Sequence, residues 1–169
     1  AHFIELWIWK NTFITSEDFF EEITYRVLEN LAKEHVMYVE AFYSPGDFEH
    51  QGLSVKKITK NILRGKEQAQ RDFGIKSAFI IDLIRDKGPE KGLVYLDEVT
   101  PFLGKGIIGI GIGGSEHSFP AREYKEVYNH DKSNESTRFR EDPRPHGCLA
   151  GIRRPRNDGR RPPRIIPRR

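Results

Sequence analysis

Three short runs rich in β-branched and aromatic residues recur at intervals of roughly thirty to forty residues along this chain: 36–43, 76–85 and 106–114. The segments between them carry helical spacing instead. In residues 15–33, Thr15 or Ser16 supplies a helix start, and Glu17 and Asp18 place acids where a helix dipole favours them. Thr15 with Asp18 forms a capping box, and Phe19, Ile23, Val27 or Leu28, and Leu31 then make one apolar stripe. Ser54 is placed to cap a helix that Gly74 ends, and Pro89 occupies the first position of the next. A fourth helix starts within 120–130. Strands that alternate with helices are joined by right-handed crossovers and lie parallel. That leaves an open doubly wound sheet or part of a (β/α) barrel.

The third strand, "GIIGIGIGG", raises a separate question. Gly109, Gly111 and Gly114 have the G-x-G-x-x-G spacing of a dinucleotide-binding turn. That turn needs a strand ending at the first glycine, followed by a helix. Here the glycines alternate with Ile108, Ile110 and Ile112, so they lie within the strand, and "SEHSFP" after them is loop. Period two sets Gly109, Gly111 and Gly113 on one face and the isoleucines on the other. A strand bare on one face admits either a ligand or a bulky neighbouring side chain. A phosphate loop it is not.

Charge divides the chain. Residues 138–169 hold eleven Arg and no Lys against three acids, a net charge of +8, whereas residues 1–137 carry −5. The body therefore offers no electrostatic reason to bind nucleic acid. No stretch approaches a membrane-spanning length, and no signal-peptide pattern opens the chain. One cysteine, Cys148, excludes an internal disulfide framework and suits a reducing, cytoplasmic setting.

In order and spacing, the segments Trp9–Phe19, Tyr38–Pro45, Gly52–Leu53, Arg71–Ile75, Leu83–Asp86 and "GIGIGGSEHSFP" resemble the adenosine deaminase family over about residues 3–130. The resemblance implies an α/β fold: a partial (β/α)8 TIM-type barrel of about three to four units over residues 1–137. It implies hydrolytic deamination of adenosine or a related aminopurine by zinc-activated water, the metal held by three His and one Asp. It also implies that Gly114 contacts the nucleoside through its backbone. Gly113 and Glu116 fall at the rim of that pocket, and Asp82 and Arg85 are further candidates, paired within the barrel or at its mouth.

Other parts of the family pattern are missing. Its first zinc ligands form His-x-His, but only His2 stands upstream, and it reads as an ordinary residue ahead of the first helix. The His-Ala-Gly-Glu motif, which supplies a ligand and the proton-donating Glu, has only a faint echo in "PHGCLAG" around His146 and Cys148. His35, His50, His117 and His130 show no metal-ligand spacing. No catalytic or metal-binding residue is therefore assigned, and the chain as written is expected to be inactive. The tail at 138–169 is expected to be disordered. Because it begins where a barrel strand is due, an out-of-frame origin is favoured over an arm that binds nucleic acid.

Overall fold

A computed structural model of the chain describes residues 2–133. Three parallel strands form its sheet in the order β1-β2-β3: β1 (Tyr38–Tyr43), β2 (Lys76–Ile84) and β3 (Ile107–Gly113). Helix α1 (His2–Asn11) and helix α2 (Phe19–Lys33) precede β1; α3 (Val55–Phe73) links β1 to β2, α4 (Pro89–Val99) links β2 to β3, and α5 (Lys125–Ser133) follows. This is the expected succession of β/α units, with strand and helix ends within a few residues of the predicted ones. The basic tail and its expected disorder lie outside the described residues. Among those described, no helix is long and apolar enough to cross a membrane.

Burial against the helices explains the apolar outer face of β2, whereas Ile80, Asp82 and Ile84 on its inner face are half-buried. Its outer side chains Phe79, Ile81 and Leu83 are at most 6% exposed, and each adds about 1.5–3 kcal/mol of burial free energy. Ile81 and Leu83 pack with Tyr95, Leu96 and Val99 of α4, and Phe79 joins Ile58, Ile62 and Leu63 of α3. Ser54 caps α3 by accepting from the Lys57 amide, and Gly74 closes it in the left-handed region at φ +70°.

The register of β3 departs from simple alternation in one place. Phe79 pairs with Ile107 but Ile80 pairs with Gly109, so Ile108 is the extra residue of a bulge. The bulge keeps Ile107 on the outer, buried face with Ile110 and Ile112, while Gly109, Gly111 and Gly113 line up with Ile80, Asp82 and Ile84 on the inner face. The face assignment read from the sequence therefore holds for Ile110, Ile112 and the three glycines, and Ile108 is the exception at 38% exposed.

Helix α2 starts at Phe19, later than the capping box at Thr15 suggested, because tertiary contacts claim the residues before it. The Ser16 hydroxyl accepts from the Asp18 amide. Glu17 instead accepts from the Ser54 amide at the start of α3 and pairs with Lys57, and Asp18 accepts from Asn61. The buried stripe also differs. Phe20, Thr24 and Leu28 are buried, so of the predicted stripe Leu28 holds and Leu31 packs beside it, whereas Phe19, Ile23 and Val27 are 41–51% exposed. Among the described residues only one of the helix's two apolar faces is covered. His2 opens a helix that sequence spacing did not reveal, since apolar residues surround α1: Phe3, Ile4, Leu6, Trp7, Ile8 and Trp9 are all exposed.

Helices α2 and α3 approach most closely at Gly65, where an added Cβ would collide with the Glu21 carbonyl oxygen and press on Thr24. Gly65→Ala must push the helices apart. We expect a loss of roughly 1–3 kcal/mol, read as a lower urea midpoint; an unchanged midpoint would contradict this packing.

Candidate functional site

The C-terminal ends of the three strands meet along one edge of the sheet, where parallel α/β sheets place ligands. β1 runs through Ser44 into a short helical turn, Pro45–Gln51. β2 runs into the turn Arg85–Lys87, and β3 into Gly114 and the loop that ends in the turn Ala121–Tyr124. Parallel pairing with a common direction brings Ser44, Asp82, Arg85, Asp86, Gly113 and Gly114 to this edge.

The bare face of β3 is occupied by side chains from its neighbours. A Cβ on Gly111 would lie 2.8 Å from the Phe42 ring and 3.2 Å from Asp82 Oδ1, and one on Gly113 would collide with Asp82 Oδ2. Asp82 therefore sits in space that the glycines leave open, and its carboxylate accepts from Ser44 Oγ at 3.2 Å. Burial pushes its pKa above the ordinary value; the Ser44 hydrogen bond opposes this, the Asp47 charge adds to it and Arg85 lowers it. The carboxylate meets no cation at ion-pair distance among the described residues.

Arg85 is paired with a different element. It is 8% exposed, and Nη1 donates to the Phe119 carbonyl at 3.2 Å and stands 3.7 Å from Glu116 of the same loop. The Tyr124 hydroxyl donates to the Ile84 carbonyl at 3.1 Å, which fastens the far end of the loop. Asp86 completes the clamp, accepting from the Ser115 amide at 3.0 Å. Gly114 has φ +97°, and a Cβ there would collide with Asp86 Oδ2. Two requirements, a left-handed backbone and room for that carboxylate, thus both demand glycine at this position. Glu116 lies at the exposed rim.

Asp82 and Arg85, expected to be paired within the barrel or at its mouth, are thus bonded to different partners, Ser44 and the 115–119 loop. Gly113 ends β3, and Gly114 and Glu116 follow it in the loop. Sequence reasoning missed Phe42, Ser44 and Asp86. Ser44 and Asp86 lie in segments it did single out, "YVEAFYSP" and "LIRD", but only the register shows which side chains face the glycines.

Among the described residues no group of three or more His, Cys, Asp or Glu is placed to hold a metal ion. His2 lies near Glu5 on α1, His35 follows α2 with φ 62°, and His117 is exposed in the loop. The residues described do not fit a zinc centre, and no chemical step is derived through one. His146 and Cys148 lie outside them.

Two outcomes follow from this geometry. Gly114→Ala and Gly104→Ala both force an L-residue into the left-handed region, but a Cβ on Gly104 would meet nothing within 4 Å. Each should lose roughly 1–2 kcal/mol for backbone strain, and Gly114→Ala should lose measurably more in thermal melts; equal losses would refute the Asp86 contact. For Asp82 the folded-state pKa is raised, so the folded form holds its proton more tightly than the unfolded chain. Wild type should lose stability relative to Asp82→Asn as pH rises from the ordinary value of 3.8 through the raised one, with a constant difference above it. Urea titrations across pH measure this, and a difference that does not change over that span would contradict the burial of the carboxylate.

Comparison with known proteins agrees with the α/β fold. An adenine deaminase of Saccharomyces cerevisiae is 32% identical over 123 residues, which is 72% of this chain and 35% of that protein. Among solved structures, an amidohydrolase from Burkhoderia ambifaria with bound Zn is 26% identical with a TM-score of 0.67, over 72% of this chain and 34% of that one. The adenine deaminase of Arthrobacter aurescens shares the fold, at a TM-score of 0.71 and 21% identity over 79% of this chain and 40% of its own. The chain spans about a third of the length of the curated relatives it matches. The sequence pattern that defines the family described as adenosine deaminase matches residues 1–139, and the chain belongs to that family.

Proposed function

We propose that this chain is the segment of a cytoplasmic aminopurine deaminase that forms the nucleobase-facing wall of its barrel. The complete enzyme would hydrolyse adenosine or a related aminopurine: water adds at the ring carbon bearing the amino group, ammonia leaves, and the hypoxanthine ring of inosine or its free base remains. The observation that carries this reading is the edge where three strands end together, with Gly114 held at φ +97° beside a carboxylate-bearing inner face. Gly114 has no side chain to keep a nucleoside from its backbone, and the Arg85–Asp86 clamp fixes the peptide it would present. Gly113 and Glu116 flank that approach. Arg85 acts by positioning, since its guanidinium is turned to the loop.

No residue described here is assigned to general acid or base work. The segment supplies shape and hydrogen-bonding groups, and the metal site and proton donor of the family are assigned to other parts of the barrel. We therefore expect the 169-residue chain to release no ammonia from adenosine or adenine above the uncatalysed level. A longer product of the same locus that carries His-x-His upstream and His-Ala-Gly-Glu downstream should deaminate an aminopurine. An ammonia-release assay on both, with zinc supplied, is the test. Turnover by the short chain, or none by a motif-bearing longer product, would overturn the reading.

A further inference from the structure

Asp82 and Phe42 form the one inner-face juxtaposition that the clamp at Gly114 leaves unused. In register, Phe42 pairs with Ile80 and Asp82 pairs with Gly111, so the ring and the carboxylate lie on the same face of adjacent strands. Both converge on Gly111: the ring lies 2.8 Å and Asp82 Oδ1 3.2 Å from the position a Cβ would take there. Gly113 gives way to the other carboxylate oxygen. Two glycines on β3 have thus removed what would displace this pair.

Both groups also keep a side open to a ligand. Phe42 is 53% exposed on the inner face of the sheet. Asp82 accepts one hydrogen bond, from Ser44, and a carboxylate has room for about four. The nearest guanidinium, Arg85, is turned to Phe119 and Glu116. A partly buried acceptor beside an open aromatic face is complementary to one class of ligand: a flat heteroaromatic ring that carries N–H donors.

We propose that Phe42 and Asp82 form a base-recognition subsite, in which the ring stacks on the face of an aminopurine and the carboxylate accepts an N–H from it. The proposal rests on the deaminase reading and adds the groups that recognise the base. Burial of Asp82 strengthens the preference, since a carboxylate that is costly to ionise gains most from a donor. A ligand whose base carries no N–H, such as purine riboside, would lose the second contact and keep the stacking.

Saturation-transfer NMR and equilibrium dialysis on the full chain, with adenosine, purine riboside and ribose as probes, provide the test. Adenosine should bind more tightly than purine riboside, and ribose should not bind. Asp82→Asn should weaken adenosine about tenfold and narrow its advantage over purine riboside. Phe42→Leu should weaken both nucleosides by a similar factor of about ten. Thermal melts check that each variant folds, and either variant alone suffices to refute the subsite. Adenosine binding unchanged in a folded Asp82→Asn or Phe42→Leu would overturn this inference and leave the deaminase reading standing. No binding of adenosine by the wild-type chain would also overturn it, while ammonia release by a longer product judges the deaminase reading separately.

Discussion

The absence of side chains along one face of β3 is the constraint on which the site depends. Gly111 and Gly113 leave the space over β3 that Asp82 and Phe42 occupy, and Gly114 lets Asp86 reach the Ser115 amide. With any larger residue at these three positions, the carboxylates would have to move. The edge where the strands end would then lose both its inner acceptor and its fixed loop. Such a face adds little stability of its own, because glycine contributes no packing and loses the most chain entropy on folding. The stability comes from the other side of the sheet, where Ile81, Leu83 and Ile107 are fully buried under α3 and α4.

That division assigns stability to the outer face and the proposed recognition to the inner one. The bulge at Ile108 is what permits both. It shifts the alternation by one residue, so that Ile107 packs outward with Ile110 and Ile112 while Gly109, Gly111 and Gly113 face inward. The Arg85–Asp86 turn ties the two together, since it leaves a buried strand and ends as the clamp on the loop after β3.

The fold was legible wherever periodicity was local. Strand β2, the glycine ends of α3 and β3, and Pro89 at the start of α4 can each be read from a few adjacent residues. Helix α1 was not, because apolar residues on every side give no stripe to detect. The start of α2 was misplaced because Glu17 and Asp18, good first-turn acids by propensity, are held by Ser54, Lys57 and Asn61 some forty residues away. In the site, Gly114, Gly113, Asp82, Arg85 and Glu116 were nameable from motif position. Phe42, Ser44 and Asp86 needed the strand register, which no single segment encodes. Among the described residues, side chains of α1, α2 and β1 line an apolar groove of about 570 Å³. Exposed apolar area of this kind marks a surface built to be covered.

The most direct test of the account is the solution contact between Phe42 and Gly111. A nuclear Overhauser measurement on the full chain, with Phe and Gly selectively labelled, should show cross-peaks from the Phe42 ring protons to the Gly111 α-protons. Their presence would establish the inner-face geometry on which the site and the subsite both stand. Cross-peaks from Phe42 to Ile62 or Phe79 on the outer face, and none to Gly111, would contradict it.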